Sequence, residues 1–600
     1  MNPSKMSVNR AALLLASMLV GSSLFGAADD ATTTAVPSNS TTNAVVAAQS
    51  QDEEIARLKT ALAEQQKQLQ ALQQMLQGQQ QLIDKVTGAS TAGTTAGTTA
   101  ASQRPNLGNV ASLTPVIPGP APLPALPAPR AVSIANPVPR PQGATGGGSN
   151  PCEAGPDGNA VPAYLRLGSV CIVPIGFMDL TPFWRDKSAG SSMGSNFGSV
   201  PYNNAVNGNL NEARFSIQNS RLGLRVDGDW KGAHFIGYNE FDFNGTSGAT
   251  NLAVSNGAVV PRLRLFWVDV RKGQWEFLAG QSWSMLVPNR VGISALPGDL
   301  MYTQVIDINY TAGLTWTRQP GVRVLYHPSK TVTAGFSVEQ PDQYMGGSAG
   351  GSAITLPTAL AGLATTQLDN GAGFNASPAG SYLGQPAYTP DFIAKIAFDP
   401  SSRFHFDITG IESNFRTTNT AAPFTHNTLS GGGLQFGANA EIVKNFRVIT
   451  TNYWTDGDGR YMFGQAPNLI VRANGSLSGV KAGGTIDGVE AVVKNTLLYG
   501  YYGGIYIGRN VALDANGTSF VGYGYPGSAN SQNRMINEIT FGFNQTMWRN
   551  PRYGAINLMG QYEWLERSPW FVAANAPGQT HDNTIYLDIR YTLPGAMPNF

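Results

Sequence analysis

The stretch Thr584-Ile585-Tyr586-Leu587-Asp588-Ile589-Arg590-Tyr591-Thr592-Leu593 alternates between two kinds of side chain. The odd-numbered positions from 585 to 593 are apolar or aromatic, and the even-numbered positions carry Asp588, Arg590 and mostly neutral polar residues. This period of two is that of a β-strand, whose successive side chains point to opposite faces of the sheet. The pattern recurs from about residue 172 onward, so the sequence predicts an all-β chain.

Short and long connections alternate between the predicted strands. The short connections are tight turns at 227–232, 272–274, 328–330, 400–402, 443–445, 494–496 and 549–554. The long connections are rich in Gly, Ser, Asn and Ala and lie at 187–211, 245–260, 285–308, 344–388, 417–432, 457–479, 511–533 and 571–582. Short turns at one rim and long loops at the other are typical of outer-membrane barrels. Residues 165–600 are therefore predicted to form a transmembrane antiparallel β-barrel of about 16 strands, which encloses an aqueous lumen.

Composition excludes several classes of protein. Only 13% of the 600 residues are charged, against about 25% in an ordinary soluble protein. The net charge of +1 lacks the excess of basic residues that is typical of nucleic-acid-binding proteins. Two cysteines are too few for a disulfide-dense scaffold or a four-cysteine zinc site. Gly and aromatic residues are abundant, as expected for an exported β protein.

The N-terminal region is predicted to contain an export signal followed by segments without a folded domain. Residues 1–28 have a basic start, an apolar run and small residues before a cleavage point, which predicts a signal peptide rather than a membrane anchor. Residues 29–51 are predicted to be a disordered spacer. Residues 88–150, rich in Pro, Gly and Thr, are predicted to be a disordered linker.

Residues 52–87 carry five heptads with apolar residues or Gln at every a and d position. A strict repeat of seven predicts a left-handed α-helical coiled coil, and so a homo-oligomer. A solitary amphipathic helix is the alternative, but the apolar seam is narrow enough to favour self-association.

Charged residues on the predicted lumen face are candidates for lining a pore. Arginines from the first half of the barrel, on even-numbered strands, could form one basic wall: Arg221, Arg225, Arg262, Arg264 and Arg323. Glu240 and Asp242 are predicted to face the lumen from the third strand, and Asp299 and Asp307 come from the third long loop. A basic wall opposite an acidic loop would orient polar solutes. Alternatively, the arginines pair with Glu240 and Asp242 and merely fill the lumen.

Several segments resemble DcaP-like outer-membrane porins: Arg214-Phe-Ser-Ile-Gln-Asn-Ser-Arg-Leu-Gly-Leu-Arg225, Arg262-Leu-Arg264, Gly280-Gln-Ser-Trp-Ser284 and the terminal Phe600. The resemblance implies a homotrimer of sixteen-stranded barrels with a periplasmic coiled coil, in contact with outer-membrane lipid and lipopolysaccharide. It also implies passive diffusion of small hydrophilic solutes, with a third loop folded inward and, in some members, a preference for anions such as dicarboxylates.

Two functions remain open, and neither is enzymatic. The first is a porin. The second is a structural anchor in which the coil and linker couple the outer membrane to the cell wall. The five histidines lie in no recognisable catalytic motif, so no enzyme activity, metal or cofactor is predicted. Cys152 and Cys171 bracket the start of the barrel, and we predict a disulfide between them in this exported chain, with two free thiols as the alternative.

Overall fold

A computed structural model describes residues 165–188, 191–245, 259–301, 304–347, 351–369, 387–420, 422–550 and 553–594. The predicted signal peptide, spacer, coiled coil and linker, together with Cys152 and Phe600, lie outside the described residues. These segments remain predictions from the sequence.

Sixteen antiparallel strands form one closed barrel. They are β1 (Val170–Arg185), β2 in two segments (Glu212–Ser216 and Arg221–Trp230), β3 (Ala233–Gly245), β4 (Val260–Lys272), β5 (Trp275–Trp283), β6 (Arg318–Tyr326), β7 (Val332–Glu339), β8 (Asp391–Ser401), β9 (Phe404–Thr418), β10 (His426–Val443), β11 (Phe446–Asp456), β12 (Lys481–Val493), β13 (Thr496–Ile507), β14 (Asn533–Asn550), β15 (Gly554–Pro569) and β16 (Thr580–Thr592). Each strand pairs with the next along the chain. β1 pairs with β16 from Phe177 opposite Thr592 to Arg185 opposite Thr584, which closes the ring. The predicted all-β class and the sixteen strands are confirmed.

The remaining elements of the described chain are short. Leu165–Leu167 pairs with the start of β1. Two hairpins lie in the long loops, Leu469–Val471 with Leu477–Gly479 and Asn510–Leu513 with Phe520–Tyr523. The helical turns are α1 (Leu363–Thr366) and the 3₁₀ segments Phe197–Ser199, Val206–Asn209, Pro297–Asp299, Thr358–Leu360 and Gly459–Tyr461. None of the described helices has the length and apolar character needed to cross a bilayer.

Side chains alternate between the outer and inner faces of the wall as predicted. On β16, Ile585, Leu587 and Ile589 are about half exposed on the outer face, at 51%, 45% and 54%. Tyr586 and Asp588 point inward and are buried at 1% and 0%. Because a sheet in lipid must present apolar side chains outward, this face is suited to a bilayer.

All seven predicted tight turns connect adjacent strands. The turn between β2 and β3 consists of Lys231 and Gly232, both with positive φ (49° and 75°), between the paired residues Trp230 and Ala233. Two central residues with positive φ form the turn type that suits the twist of a hairpin. The long connections at the other rim are loop 1 (186–211), loop 2 (246–259), loop 3 (284–317), loop 4 (340–390), loop 5 (419–425), loop 6 (457–480), loop 7 (508–532) and loop 8 (570–579).

Loop 5 is much shorter than the predicted 417–432, because β9 and β10 stay paired up to Thr418 and His426. The glycines at 431–433 suggested a loop but lie within β10. A Cβ atom on Gly433 would lie 2.6 Å from the hydroxyl oxygen of Tyr453. The glycine is therefore needed so that this inward-facing ring can fit against the strand.

One predicted set of outward residues is partly wrong. Leu263 is outward and 42% exposed, but Leu265 and Trp267, also predicted outward, are buried at 0% and 5%. A β-bulge where β3 meets β4 shifts the register, so that Leu265 pairs with Glu240 and Leu263 with Phe241. The extra residue reverses the alternation beyond it, and Phe266 takes the outer face instead.

Cys171 is disulfide-bonded and buried. Its predicted partner Cys152 lies outside the described residues, so the pairing remains a prediction. We expect thiol labelling of the denatured, unreduced protein to modify neither cysteine, and labelling after reduction to modify both. Two reactive thiols per chain before reduction would contradict the disulfide.

Candidate pore constriction

Loop 3 is tied to the inner wall of the barrel through its backbone. Six inward-facing side chains bind its amide or carbonyl groups: Glu339 binds Met285 N at 2.8 Å, Lys395 binds Val287 O at 2.9 Å, Gln435 binds Leu286 O at 2.7 Å, Asn439 binds Arg290 O at 2.9 Å, Glu538 binds Ala312 N at 2.8 Å and Gln561 binds Ile306 N at 2.9 Å. The six come from β7, β8, β10, β14 and β15. Because loop 3 starts at β5 and reaches strands on the far side of the ring, it crosses the lumen.

A buried ion pair adds a side-chain anchor to loop 3. Arg290 makes two parallel hydrogen bonds to Glu490 on β12, at 2.9 and 2.7 Å. Tyr501 on β13 donates its hydroxyl to the same carboxylate at 2.6 Å. Both charged side chains are less than a tenth exposed. A buried pair with this two-pronged geometry is strongly destabilised when one partner is removed.

Loop 6 packs against loop 3. The Trp316 amide of loop 3 donates to the Tyr461 carbonyl at 2.9 Å, and the Trp316 ring stacks on Phe463 with 4.7 Å between centroids. Further residues of loop 6 are fully buried: Tyr461, Met462, Leu469, Ile470 and Val471. Together with residues of loops 3, 4 and 7 they form an apolar core bounded by inward-facing wall residues.

Four of the predicted pore residues come together on β3 and β4. Arg264 contacts Glu240 at 2.8 Å and Asp242 at 2.7 Å, and it is only 2% exposed. Arg262 contacts Asp242 at 2.6 Å, and its side chain is 38% exposed. Glu240 and Asp242 are thus the partners of these arginines, as the second sequence alternative supposes.

Two further arginines join this group. Arg221 of β2 donates to the Tyr310 hydroxyl at 3.5 Å. Arg318, which the sequence analysis missed, lies over the rings of Trp283 and Trp316 at 5.4 and 5.6 Å from their centroids. We call Arg221, Arg262, Arg264 and Arg318 with Trp283 and Trp316 the basic cluster. Four guanidinium groups here stand against the two carboxylates of Glu240 and Asp242, so the cluster has an excess of positive charge.

Several donors in the basic cluster are buried without an acceptor among the described residues. They are Arg264 Nη2, Arg318 Nη1, Trp283 Nε1 and Trp316 Nε1. A buried donor without a partner is unfavourable, and most such groups in folded proteins bind water or a ligand. The cluster is therefore suited to bind a ligand whose groups accept hydrogen bonds, and the two tryptophan rings provide planar surfaces beside the donors.

The other two predicted arginines have partners outside the ion pairs of the basic cluster. Arg225 is paired with Asp227 at 2.8 Å. Arg323 is buried and donates to the Ser282 hydroxyl at 3.1 Å and to the Trp283 carbonyl. These contacts give both arginines partners in the wall itself.

Neither of the predicted acids of loop 3 forms an ion pair with an arginine among the described residues. Asp299 accepts from the Ser294 hydroxyl at 2.6 Å, within the loop. Asp307 accepts from the backbone amides of Ser195 at 2.9 Å and Asn309 at 2.7 Å, and the Ser195 hydroxyl donates to Glu563 on β15. Burial raises the pKa of Asp307, and the two amides oppose that rise. Asp307 thus joins loop 3 to loop 1, near Glu563 of the wall, and its place in a pore lining stays a prediction.

Comparison with solved structures finds similar barrels. The chain is similar to the outer membrane channel DcaP of Acinetobacter baumannii, with a TM-score of 0.51, 17% identity, and coverage of 72% of this chain and 99% of that one. OmpF of Salmonella typhi in complex with daunomycin has a TM-score of 0.39, 10% identity, and coverage of 72% and 100%. OmpT of Vibrio cholerae has a TM-score of 0.35 and 9% identity, and the match covers 72% of this chain and 99% of that one. No protein-family model and no curated protein matches the sequence. The barrel of this chain therefore has the fold of the DcaP channel, as its resemblance to DcaP-like porins implies.

Proposed function

We propose that this protein is an outer-membrane porin that lets small hydrophilic solutes diffuse passively, with a preference for anions. A closed barrel of this size with an apolar outer face is suited to a bilayer. A loop folded across the lumen narrows the path and sets which side chains a solute meets. A porin needs no reaction chemistry, only a water-filled path lined by fixed charges.

The excess of arginine in the basic cluster is the single observation that carries the anion preference. Guanidinium groups bind carboxylate and phosphate in a planar, two-pronged geometry. Buried donors of Arg264, Arg318, Trp283 and Trp316 have no acceptor among the described residues, which supports a site that binds acceptor groups. Small polar or anionic solutes are the proposed cargo. Outer-membrane lipid and lipopolysaccharide are the proposed surroundings, and we propose that the predicted coiled coil lies in the periplasm.

Planar-bilayer recording of the purified full-length protein tests this proposal. We expect stepwise openings and, in a salt gradient, a reversal potential with the sign of an anion-preferring pore. Heat-denatured protein is the control and should give no steps. A folded protein that inserts without conducting would overturn the porin and favour the structural anchor to the cell wall. Steps with a cation-type reversal potential would overturn only the anion preference.

A further inference from the structure

Three exposed cations lie together on the outer side of the barrel at the long-loop rim. They are Lys481 at the start of β12, Arg509 just after β13 and Arg534 near the start of β14. The Lys481 carbonyl accepts at 2.7 Å from the amide of the residue before Arg509, and the residue after Arg534 pairs with Tyr506 of β13. The three therefore lie at one height on neighbouring strands. We call Lys481, Arg509 and Arg534 the rim cations.

The two arginines of this group share one aromatic ring. The guanidinium carbons of Arg509 and Arg534 lie 5.7 and 6.0 Å from the centroid of the Trp570 ring. The ring N–H of Trp570 donates to the Ile507 carbonyl at 2.8 Å, and the Tyr506 ring meets the same indole edge to face at 6.1 Å between centroids. Because the indole is bonded to the wall, it holds the two guanidinium groups near one another.

The charges of the rim cations are not neutralised by ion pairs. None of the three forms an ion pair or a side-chain hydrogen bond with another described residue. Asp456 of β11 is the residue opposite Lys481, but its carboxylate lies beside Gly479 of loop 6. Like charges this close repel one another, so the arrangement favours an anion that several of the cations can share.

The rim cations lie at the height of a membrane surface. β12 has 13 residues from Lys481 to Val493, which rise about 30 Å at about 3.3 Å per residue and the usual strand tilt of about 40°. The apolar belt of outer-membrane barrels is about 25 Å tall, and their long loops lie outside the cell. Tyr506 and Trp570 stand at the same level, as aromatic residues do where a membrane meets water. This is the level of the headgroups of the outer leaflet.

A groove descends from the rim cations along the outer wall. Lys481 lines it, and so do three glycines that have no side chain to fill it and two aromatic residues: Gly432, Gly483, Gly504, Trp454 and Tyr506. The two aromatic side chains stand out from the wall, 57% and 45% exposed. Two of the polar side chains in the groove, Thr485 and Asn452, bond to each other at 3.0 Å. A recess of this kind fits a hydrocarbon chain that runs down from a headgroup.

We propose that the rim cations and this groove bind lipopolysaccharide, with a phosphate of its lipid A on Arg509 and Arg534 and an acyl chain in the groove. The proposal rests on the proposed membrane function. Guanidinium groups bind phosphate oxygens in a planar, two-pronged geometry. Lipid A carries its phosphates on a rigid disaccharide with several acyl chains attached, so one molecule engages both the cations and the groove. An ordinary phospholipid presents a single mobile phosphate and suits the site less well.

Lipid binding by the purified full-length protein in mild detergent tests the site. The protein is freed of lipid and titrated with lipopolysaccharide, and the bound fraction is measured by native mass spectrometry. Arg509→Gln with Arg534→Gln should raise the apparent Kd roughly tenfold or more, because two headgroup contacts are lost. Lys444→Gln with Lys494→Gln removes two exposed charges at the tight turns of the opposite rim and should leave the Kd unchanged. An unchanged Kd in the arginine variant would overturn the proposal.

The choice of lipid distinguishes lipopolysaccharide from other sources of phosphate. Dephosphorylated lipopolysaccharide and phosphatidylglycerol should each bind the parent protein roughly tenfold more weakly than intact lipopolysaccharide. Inorganic phosphate in excess should compete poorly, because it has no acyl chain for the groove. Equal binding of the dephosphorylated form, equal binding of phosphatidylglycerol, or full displacement by inorganic phosphate would each overturn the proposal.

Gly504→Leu tests the groove separately from the cations. A Cβ atom on Gly504 first meets the Tyr502 hydroxyl, at 3.1 Å, and this is the far end of an exposed side chain that can move. The leucine should therefore be tolerated, fill the recess and weaken lipopolysaccharide binding although both arginines are intact. Ala394→Leu, on the exposed outer face of β8, is the control and should bind like the parent. Parent-like binding by Gly504→Leu would show that no acyl chain occupies the groove.

Barrel folding and conduction are followed on the same preparations. Folded barrels migrate differently from heat-denatured ones, so a variant that fails to fold is recognised, and the lipid series on the unaltered parent then decides. An arginine variant that conducts in steps but has lost lipopolysaccharide binding supports the site and leaves the porin intact. A parent protein that binds lipopolysaccharide as expected but never conducts would refute the porin alone.

Discussion

Replacing Arg221 and Arg318 together by Gln should remove the anion preference of the pore at low salt. The change leaves two guanidinium groups against the carboxylates of Glu240 and Asp242, so the excess positive charge disappears. At about 8 Å and an effective dielectric constant of about 20, one unit charge acts on a passing ion with about 2 kcal/mol. The reversal potential in a gradient centred on 0.1 M salt should therefore move toward zero.

Salt and a matched variant make this result specific. At 1 M salt the screening length is about 3 Å, so the parent and the variant should nearly coincide. Lys272→Gln with Lys330→Gln removes the same number of charges at exposed tight turns and should leave the reversal potential unchanged. An unchanged potential at 0.1 M in the Arg221/Arg318 variant would show that the basic cluster does not face the solute path.

Arg290→Gln should loosen loop 3 and enlarge the conducting path. The substitution takes from the buried Glu490 carboxylate its two-pronged partner and leaves it the Tyr501 hydroxyl and the charge of Arg447 on the neighbouring strand. Breaking a buried ion pair costs about 3 to 5 kcal/mol. We expect a lower midpoint of thermal unfolding and larger, noisier single-channel steps, because a loop that is no longer held across the lumen samples positions nearer the rim.

The matched variant for this prediction is Arg403→Gln. Arg403 is paired with Glu441 at 3.9 Å and is about half exposed, and exposed pairs are worth about 0 to 1 kcal/mol. Its unfolding midpoint and conductance should match those of the parent. If Arg290→Gln also left the unfolding midpoint and the conductance unchanged, the ion pair to Glu490 would not be what holds loop 3.

The barrel could be predicted from the sequence because its outer face obeys one simple rule. Lipid admits apolar side chains alone, so the alternation is visible wherever the inner face is polar, as at Lys395 or His405. The alternation is less clear in the sequence of β5, β11 and β13. There the inward positions carry Trp283, Tyr453 and Tyr501, buried at 1%, 0% and 2%. Large aromatic side chains occur on the inner face of these strands because that face packs against loops rather than water.

The candidate site was only partly predictable for a related reason. Arg262, Arg264, Glu240 and Asp242 lie on neighbouring strands, so period and strand order bring them together. Arg318 belongs to the same cluster through the path of loop 3, which is ten residues longer than the predicted 285–308. Hydrophobic periodicity does not show where such a loop runs. The β-bulge at Leu265 also leaves no recognisable pattern in the sequence.

The way loop 3 is attached bears on how this protein can evolve. Side chains of the wall form hydrogen bonds with the backbone amides and carbonyls of the loop, and most of the loop's own side chains take no part in those bonds. Apart from Arg290, whose side chain is itself an anchor, a mutation in the loop can therefore alter the shape or charge of the passage while the attachment of the loop is retained, provided the backbone conformation is kept. Mutations of the wall residues that form these hydrogen bonds would instead weaken the attachment of the loop. Selection for a new nutrient, or against an antibiotic, would accordingly find tolerated changes in the loop before it found them in the barrel.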